Sequence, residues 1–254
     1  MLEYDSIMGK VLHKDETEFA ATWPEMYNKK SREQKGLRII ATLANYFKTE
    51  KLKDLNLLDM GGSTGIIDNV LAAKFGNVIG VDVDKTAINF AQKHFKRKNL
   101  TFKTGDALNL SFKDKSFDVV VCTHVYEHVI NAEKLFSEIY RLLKPRGVCY
   151  LAAINSWWPI EPHYDLPFLA WLPKSLGHVY IRITGKAQKY YETPLNYWQL
   201  RRMVYDVGFR MYDNTAKIIK DPVKYGYPKS WKWLSPIAGL ATYLSPTLFW
   251  ILEK

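Results

Sequence analysis

Residues 58–65, Leu58-Asp59-Met60-Gly61-Gly62-Ser63-Thr64-Gly65, decide the fold of this chain. They end the apolar run 55–60, a pattern typical of a buried parallel strand, and they precede an amphipathic segment at 66–75. Glycines at a strand end let the backbone approach a ligand closely, because a Cβ atom would block that approach. In an open sheet the ligand lies beyond the carboxyl ends of the strands, where the next helix begins. The stretch therefore predicts a strand, a ligand-binding turn and a helix.

The alternation of apolar strands and helical segments continues along the chain. Strands alternating with helices of ~10 to 15 residues predict βαβ units and a parallel sheet. We therefore predict an α/β fold, a Rossmann-like seven-stranded, mostly parallel sheet with helices on both faces. The further strands of this core are predicted at 77–82, 100–104, 117–123 and 148–154, and its helices at 84–97 and 131–143.

Three other segments surround this core, which we place at 52–155 within a single domain, 1–254. Residues 1–50 are expected to form a helical cover, because 14–50 carry apolar positions at helical spacing. Residues 156–194 are rich in Trp, Pro, Tyr and His and follow the fifth strand. We interpret them as a lid over the acceptor pocket and call them the lid below.

The C-terminal part, 195–254, is predicted to complete the sheet. A helix is expected at 195–207, a strand at 209–219 and a last strand at 245–252. Residues 229–244 are predicted to form a helix that rests on the sheet edge or on a membrane.

Composition favours a globular protein of a reduced compartment. Hydrophobic residues make up 47% of the 254 residues and charged residues 24%. Cys122 and Cys149 stand in apolar runs, as core residues of a reduced protein do. We find no signal peptide and no apolar run of ~18 to 20 residues, so a cytoplasmic location is expected.

The net charge of +10 suggests an acidic partner, such as a phosphorylated acceptor, nucleic acid or an anionic membrane surface. Lysines mixed with Trp and Tyr at 225–234 suit peripheral membrane contact, although a packed helix is the alternative. We predict no nucleic-acid partner, because the chain lacks an Asn-Pro-Pro-Tyr-type motif and an RNA-binding module. The oligomeric state is left open.

Acidic residues stand at the ends of three successive predicted strands. Asp82 comes 23 residues after Asp59 and suits the two hydroxyls of a ribose, and Asp106 is placed to meet an adenine amino group. A dinucleotide fingerprint would need glycine at 63 and 66, where the chain has Ser63 and Ile66. The pattern therefore favours a nucleoside ligand without a pyrophosphate.

Residues 52–155 resemble the class I S-adenosylmethionine-dependent methyltransferases, in the small-molecule branch called methyltransferase type 11. Ser63 departs from the middle glycine that the family often has. The resemblance implies S-adenosyl-L-methionine as the cofactor. The expected contacts are Asp59, Gly61, Gly62 and Gly65 with its methionine part, Asp82 and Val83 with the ribose and adenine edge, Asp106 and Ala107 with the adenine, and His124 near the methyl group.

His124-Val125-Tyr126-Glu127-His128 follows the fourth strand, where the family lines the methyl group and the acceptor. Methyl transfer is an in-line displacement, so the protein positions the acceptor and removes the proton of a hydroxyl. His124 suits this role because an imidazole titrates near neutral pH, and Glu127 joins it in the predicted catalytic set. Alternatively, His124 packs against the cofactor and His128 anchors the next helix.

The same residues raise the question of a metal. Certain quinone and RNA 3′-end methyltransferases carry a Glu-x-x-Glu-His set that binds a divalent cation. Here His124 replaces the first Glu, giving His124-x-x-Glu127-His128. We predict no metal, with a three-ligand cation site as the alternative.

The lid carries the evidence about the acceptor. Glu161, His163 and Tyr164 stand in an aromatic frame that suits a sugar or a flat ring. Ile160-Glu161-Pro162-His163 and the Pro-rich stretch after it resemble methyltransferases of polysaccharide and cell-envelope biosynthesis. We therefore expect O-methylation of a glycan, glycolipid or related envelope precursor, with His124 or His163 as the base. The alternatives are a quinone-like, lipid-soluble ring, a lid that only excludes water, and a non-catalytic S-adenosylmethionine-binding protein.

Overall fold

The computed structural model describes residues 23–49 and 52–254. Its strands are β1 (Asn56–Met60), β2 (Asn77–Asp82), β3 (Leu100–Thr104), β4 (Phe117–Thr123), β5 (Leu143–Ile154), β6 (Ile160–Glu161), β7 (Leu166–Pro167), β8 (Arg210–Asp213) and β9 (Thr247–Glu253). Its α-helices are α1 (Lys29–Phe47), α2 (Ile66–Leu71), α3 (Lys85–His94), α4 (Ala132–Leu142), α5 (Lys174–Ile183), α6 (Tyr197–Val207), α7 (Thr215–Lys220) and α8 (Ala238–Ala241). Short 3₁₀ helices lie at Pro24–Tyr27, Leu169–Trp171, Val223–Tyr225, Lys229–Ile237 and Thr242–Leu244.

Seven strands form one sheet in the order β3-β2-β1-β4-β5-β9-β8. The five strands β1 to β5 are parallel, and β9 runs antiparallel to both β5 and β8. This confirms the predicted α/β fold. The chain builds outward from β1 to β3 and then returns to place β4 on the other side of β1. Ligands of open α/β sheets bind at such a reversal, beyond the carboxyl ends of the strands.

The central strands are buried on both faces, which explains their continuous apolar sequences. In β4, Val119 and Val121 face one apolar cluster, and Val120 and Cys122 face the other. Helix α1 covers the first face and α4 the second. Cys122 and Cys149 are both free and buried, as the sequence predicted.

The N-terminal cover is helical over α1, which is capped by Asn28, whose side chain accepts a hydrogen bond from Ser31 N–H. The Thr64 hydroxyl donates to Met26 O at 2.6 Å, so this segment lies against the glycine turn. The Trp23 ring lies 6.0 Å from the His163 ring of the lid. The predicted helical residues 14–22 and 50 lie outside the described residues.

The predicted strand 209–219 is wrong in its second half. Strand β8 ends at Asp213, and helix α7 follows directly. Asp213 Oδ1 accepts the Thr215 N–H at 2.8 Å, and the Thr215 hydroxyl accepts the Phe249 N–H at 2.9 Å. These side-chain bonds turn the chain away from β9. The predicted helix 229–244 is mostly 3₁₀ and contains Pro236, which has no N–H to donate.

The lid has a small core of its own, built around the β6–β7 hairpin and α5. The carboxylate of Glu161 accepts the backbone N–H groups of His163 and Tyr164, which fixes the hairpin turn. Its buried apolar residues are Tyr164, Leu166, Leu169, Ile181, Ala187 and Tyr190. Within the described part of the chain, no helix combines the length and the apolar character needed to cross a bilayer.

Candidate active site

The glycine turn after β1 fits tightly between its neighbours. Gly61 has a φ of 89°, and a Cβ atom there would lie 2.4 Å from Val125 Cγ2. Gly65 has a φ of 74°, and its Cβ would lie 2.6 Å from the Phe102 ring. The N–H groups of Gly61 and Gly62 both donate to Val81 O. Glycine is therefore required at 61 and 65, and the turn is held against β2 and the segment after β4.

Asp82 stands at the end of β2 and is half-buried. Its two carboxylate oxygens accept the backbone N–H groups of Ser63 at 2.8 Å and Asp84 at 2.9 Å. Burial raises the pKa of Asp82, and these two hydrogen bonds offset part of the rise. Ser63 adopts a φ of 50°, so it supplies the left-handed conformation that a middle glycine would favour. The arrangement orients the carboxylate while leaving each oxygen a further lone pair.

Asp106 lies on the neighbouring strand end. Asp82 pairs in register with Thr104, the last residue of β3, so Asp106 follows two residues beyond that pair. Its side chain is exposed, and its Oδ1 accepts the Leu108 N–H at 2.8 Å. Val83 and Ala107 are both half-buried beside these acids. The structure thus places the predicted ribose and adenine residues on adjacent strands.

Asp59 lies beneath the glycine turn, where its side chain is 1% exposed. Its neighbour is the buried Asp68 of α2, which was not among the predicted site residues. Burial raises the pKa of Asp59 to about 7 and raises the pKa of Asp68 well above its usual value. Burial is the main cause for both groups, and the nearby charge of Asp59 raises the pKa of Asp68 further, because two like charges disfavour each other in a buried site. The role of Asp59 toward the methionine part stays a prediction.

Arg32 of α1 is the main residue that sequence reasoning missed. Its side chain is 6% exposed, and its Nε has no hydrogen-bond partner among the described residues. Burial lowers the pKa of Arg32, while the charges of Asp59, Asp68 and Asp82 raise it. The sequence pattern that could have identified Arg32 is its helical spacing from Ile39, because the two residues share the buried face of α1.

His124 directly follows β4 in a strained backbone conformation. Its φ is 55°, and its N–H donates to Ala152 O at 2.8 Å. Its Nδ1 lies 3.5 Å from Oε1 of the buried Glu127, and its imidazole remains 32% exposed. Burial alone would raise the pKa of Glu127, but the adjacent imidazole of His124 and the charges of His128 and His163 lower it below its usual value. Strain of this kind in a positioned side chain is typical of functional sites.

The lid brings His163 to the same place. The His128 and His163 rings are 4.8 Å apart, and His128 Nδ1 lies 4.0 Å from Glu192. His163 Nδ1 lies 2.7 Å from Glu161 Oε1. Burial would lower the pKa of His163, but the hydrogen bond and charge of Glu161, with the charge of Glu192, raise it above its usual value. The predicted residues His124, Glu127 and His163 therefore form one cluster.

Part of this cluster has the composition of a cation site. The ligand atoms of Glu127, His128 and His163 all lie within 4.8 Å of one another. Two imidazoles and a carboxylate suit a divalent transition metal. The set differs from the sequence motif, because His163 of the lid takes the place of His124.

The donors around the glycine turn fit an S-adenosylmethionine molecule. Ser63 Oγ and Arg32 Nε are buried polar atoms with no hydrogen-bond partner among the described residues. Arg32 supplies a cation for a carboxylate, and Asp82 supplies acceptors for a ribose. The sheet order, the glycine turn and the acids at the ends of β1, β2 and β3 are the features of an S-adenosylmethionine-dependent methyltransferase.

Comparison with known proteins agrees with this class. The family described as "Methyltransferase domain" matches residues 58–151. The ubiquinone biosynthesis O-methyltransferase of Bartonella tribocorum is 30% identical over 129 residues, 48% of this chain and 51% of that protein. The demethylmenaquinone methyltransferase of Lactobacillus johnsonii is 36% identical over 110 residues, 40% of this chain and 45% of that protein. The chain thus spans about half the length of these two relatives.

A solved structure extends the likeness to nearly the whole fold. A methyltransferase from Haloferax volcanii, in complex with the Trm112 methyltransferase activator, has a TM-score of 0.60 and 18% identity, covering 95% of this chain and 99% of its own. Residues 58–151 thus match a methyltransferase domain, in agreement with the predicted class I S-adenosylmethionine-dependent family and its cofactor. The solved structure shows the same fold.

Proposed function

We propose that the protein transfers a methyl group from S-adenosylmethionine to a hydroxyl oxygen on a lipid-soluble, quinone-like ring. The observation that carries the proposal is the His124–Glu127 pair at the end of β4, beside the glycine turn. The names of the two relatives above refer to quinones, which favours the ring acceptor over the glycan that the sequence first suggested. The more general activity, methyl transfer to a small molecule, does not depend on that choice.

Residues from three parts of the chain would hold the cofactor. Asp82 would accept the hydroxyls of the ribose, and Asp106 with Ala107 would contact the adenine. Arg32 would pair with the carboxylate of the methionine part, because a guanidinium binds a carboxylate through paired donors. When bound, the cofactor supplies a methyl group on a positively charged sulfur, which makes that carbon open to attack by an oxygen nucleophile.

His124 serves as the base for the acceptor hydroxyl. Since its Nδ1 faces Glu127, the proton of the neutral imidazole resides there and Nε2 is left as the accepting nitrogen. The lowered pKa of Glu127 keeps this carboxylate charged, which stabilises the imidazolium after it has taken the proton. Glu127 is thus a positioning residue. The hydrogen bond from Tyr126 to Ile154 O, 2.6 Å long, anchors the segment between them.

The aromatic surroundings of this pair favour a flat acceptor. The Trp23 and His128 rings both meet the His163 ring edge-on. Planar rings pack well against such edges, and one polar group among aromatic side chains fixes their orientation.

Mass spectrometry of the products tests the proposal. The full-length protein would be incubated with S-adenosylmethionine and either a catechol bearing a short isoprenoid tail or a panel of sugar acceptors. We expect methylation of a ring hydroxyl and a loss of about a hundredfold or more in turnover for His124→Ala, as for removal of a general base. Methylation of sugars alone would contradict the ring acceptor, and unchanged turnover in His124→Ala would remove this residue as the base.

The same assay repeated with a metal chelator tests whether methyl transfer needs a divalent cation. Turnover that falls with chelator and returns with a divalent cation would assign a metal to Glu127, His128 and His163. A matched variant, His128→Gln, should then lose the cation response. His124→Ala should keep that response at its lower rate, because His124 lies outside the three-ligand set.

A further inference from the structure

The segment 229–244 exposes an apolar stripe on its outer side. Its large apolar residues Trp233, Ile237, Leu240 and Leu244 follow one another along the segment at intervals of four, three and four residues. All four are exposed, Trp233 by 72% and Leu240 by 69%. The inward positions are instead the small residues Ala238 and Thr242. This polarity is the reverse of an ordinary surface helix, whose apolar face is buried.

The charges of this segment have one sign. Between residues 222 and 252 the chain has no Asp or Glu, whereas Lys224, Lys229 and Lys232 are all exposed. Exposed Trp231 stands between the last two lysines. Lysines beside tryptophans around an apolar stripe are what a helix lying in the headgroup region of a membrane presents.

A second stripe with the same character lies on α5 of the lid. Leu176, Val179 and Ile183 are exposed at intervals of three and four residues, while Gly177 and Ile181 of the same helix are buried. No acidic residue occurs from 166 to 191. That stretch contains the basic residues Lys174, Arg182, Lys186 and Lys189.

Both stripes belong to segments fastened to the carboxyl end of β5. The Asn155 side chain donates to Tyr243 O at 2.8 Å and to Ser245 O at 3.0 Å, at the end of the first segment. The Trp171 indole donates to Ser156 O at 2.7 Å, just before α5. Each segment is therefore attached near the carboxyl end of β5, the end of the sheet where the candidate active site lies.

We propose that these two stripes form a docking surface for an anionic lipid bilayer. Apolar side chains enter the acyl boundary while the flanking lysines and arginine meet lipid phosphates. A second copy of this chain would fit this surface less well than a bilayer does. A two-fold interface would bring each acid-free, basic surface against its own copy and place like charges together. The inference concerns where the protein binds and holds whichever acceptor is methylated.

Vesicle flotation of the full chain tests this surface without any acceptor or cofactor. We expect binding to phosphatidylcholine vesicles that contain roughly one third phosphatidylglycerol, and much weaker binding to phosphatidylcholine alone. Trp233→Ser with Leu240→Ser should lower the bound fraction at least about tenfold, because two large apolar side chains leave the bilayer. Lys229→Glu with Lys232→Glu should lower it about tenfold at low salt and less at high salt.

Two matched variants control for general effects. Leu37→Ser removes an exposed apolar residue of α1, and Lys93→Glu with Lys96→Glu reverses two exposed lysines of α3 and its flank. Both should bind vesicles as the unaltered protein does. Three results would overturn the proposal: no binding to the anionic vesicles, equal losses in test and control variants, or a lipid-free dimer that Trp233→Ser with Leu240→Ser dissociates.

Discussion

Asp82→Ala should weaken cofactor binding far more than it weakens the fold. The carboxylate is oriented by the Ser63 and Asp84 N–H groups, and in the proposed complex its remaining lone pairs would accept the hydroxyls of the ribose. Hydrogen bonds to a charged group contribute about 1.5–3 kcal/mol each, and two that share one carboxylate add incompletely, so we expect a loss of about 2–4 kcal/mol. This corresponds to a Kd roughly 30-fold to 900-fold higher.

Calorimetric titration with S-adenosylhomocysteine would measure the change, beside thermal unfolding of each variant. Asp84→Ala is the matched control, because the buried Asp84 caps α3 by accepting the Ala87 N–H at 3.0 Å. It should cost about 1 kcal/mol of stability and leave affinity nearly unchanged. A folded Asp82→Ala protein that binds within threefold of the unaltered one would refute the placement of the ribose.

Four further perturbations test the rest of the site. Arg32→Met should weaken binding of S-adenosylhomocysteine about tenfold or more but leave binding of 5′-methylthioadenosine unchanged, because the latter has no carboxylate. Parallel calorimetric titrations with the two ligands measure the difference, and equal losses of affinity would exclude the contact between Arg32 and the carboxylate. Glu127→Gln should lower kcat and shift its pH profile while leaving cofactor affinity unchanged, since the carboxylate acts through His124; an unshifted profile would leave it a merely structural role. Gly65→Ala should lower the melting temperature by several degrees because its Cβ meets the Phe102 ring, whereas Gly185→Ala, also at positive φ but in open space, should cost less. The raised pKa values of Asp59 and Asp68 mean that the folded protein keeps a proton that the unfolded chain releases. The contribution of this pair to the free energy of unfolding is therefore fully present below the ordinary carboxyl pKa and is lost as pH rises through about 7. Melting temperatures at pH 6 and pH 8 should show this loss, and a pH dependence that persists in Asp68→Asn would assign it to other groups.

The strands next to the glycine turn were predictable because their signal is local. Strands β2, β3 and β4 match the predicted limits 77–82, 100–104 and 117–123, since β2 and β4 are mostly apolar runs and β3 alternates apolar and polar residues over its first four positions. The strand predicted at 209–219 failed where Ile218 and Ile219 resemble a strand but Asp213 and Thr215 redirect the backbone. That redirection depends on Phe249, which is distant in sequence.

The residues of the site likewise divide into those that a local sequence pattern predicts and those that only the fold brings together. Asp82, Asp106 and His124 follow strands and could be found one at a time. Arg32 reaches the acids from another element, and Glu192 approaches His128 across more than sixty residues of chain. No local pattern reports such contacts, because the fold creates them.

The Asp68 side chain and the absence of side chains at Gly62 and Gly80 depend on one another. A Cβ atom at Gly62 would lie 2.9 Å from Asp68 Oδ2, and one at Gly80 would lie 2.9 Å from Oδ1. The buried carboxyl group thus fills the space that two missing side chains leave, one in the glycine turn and one in β2. Among descendants of this sequence, an alanine at 62 or 80 should therefore persist only alongside a smaller residue at 68. We expect the three positions to covary.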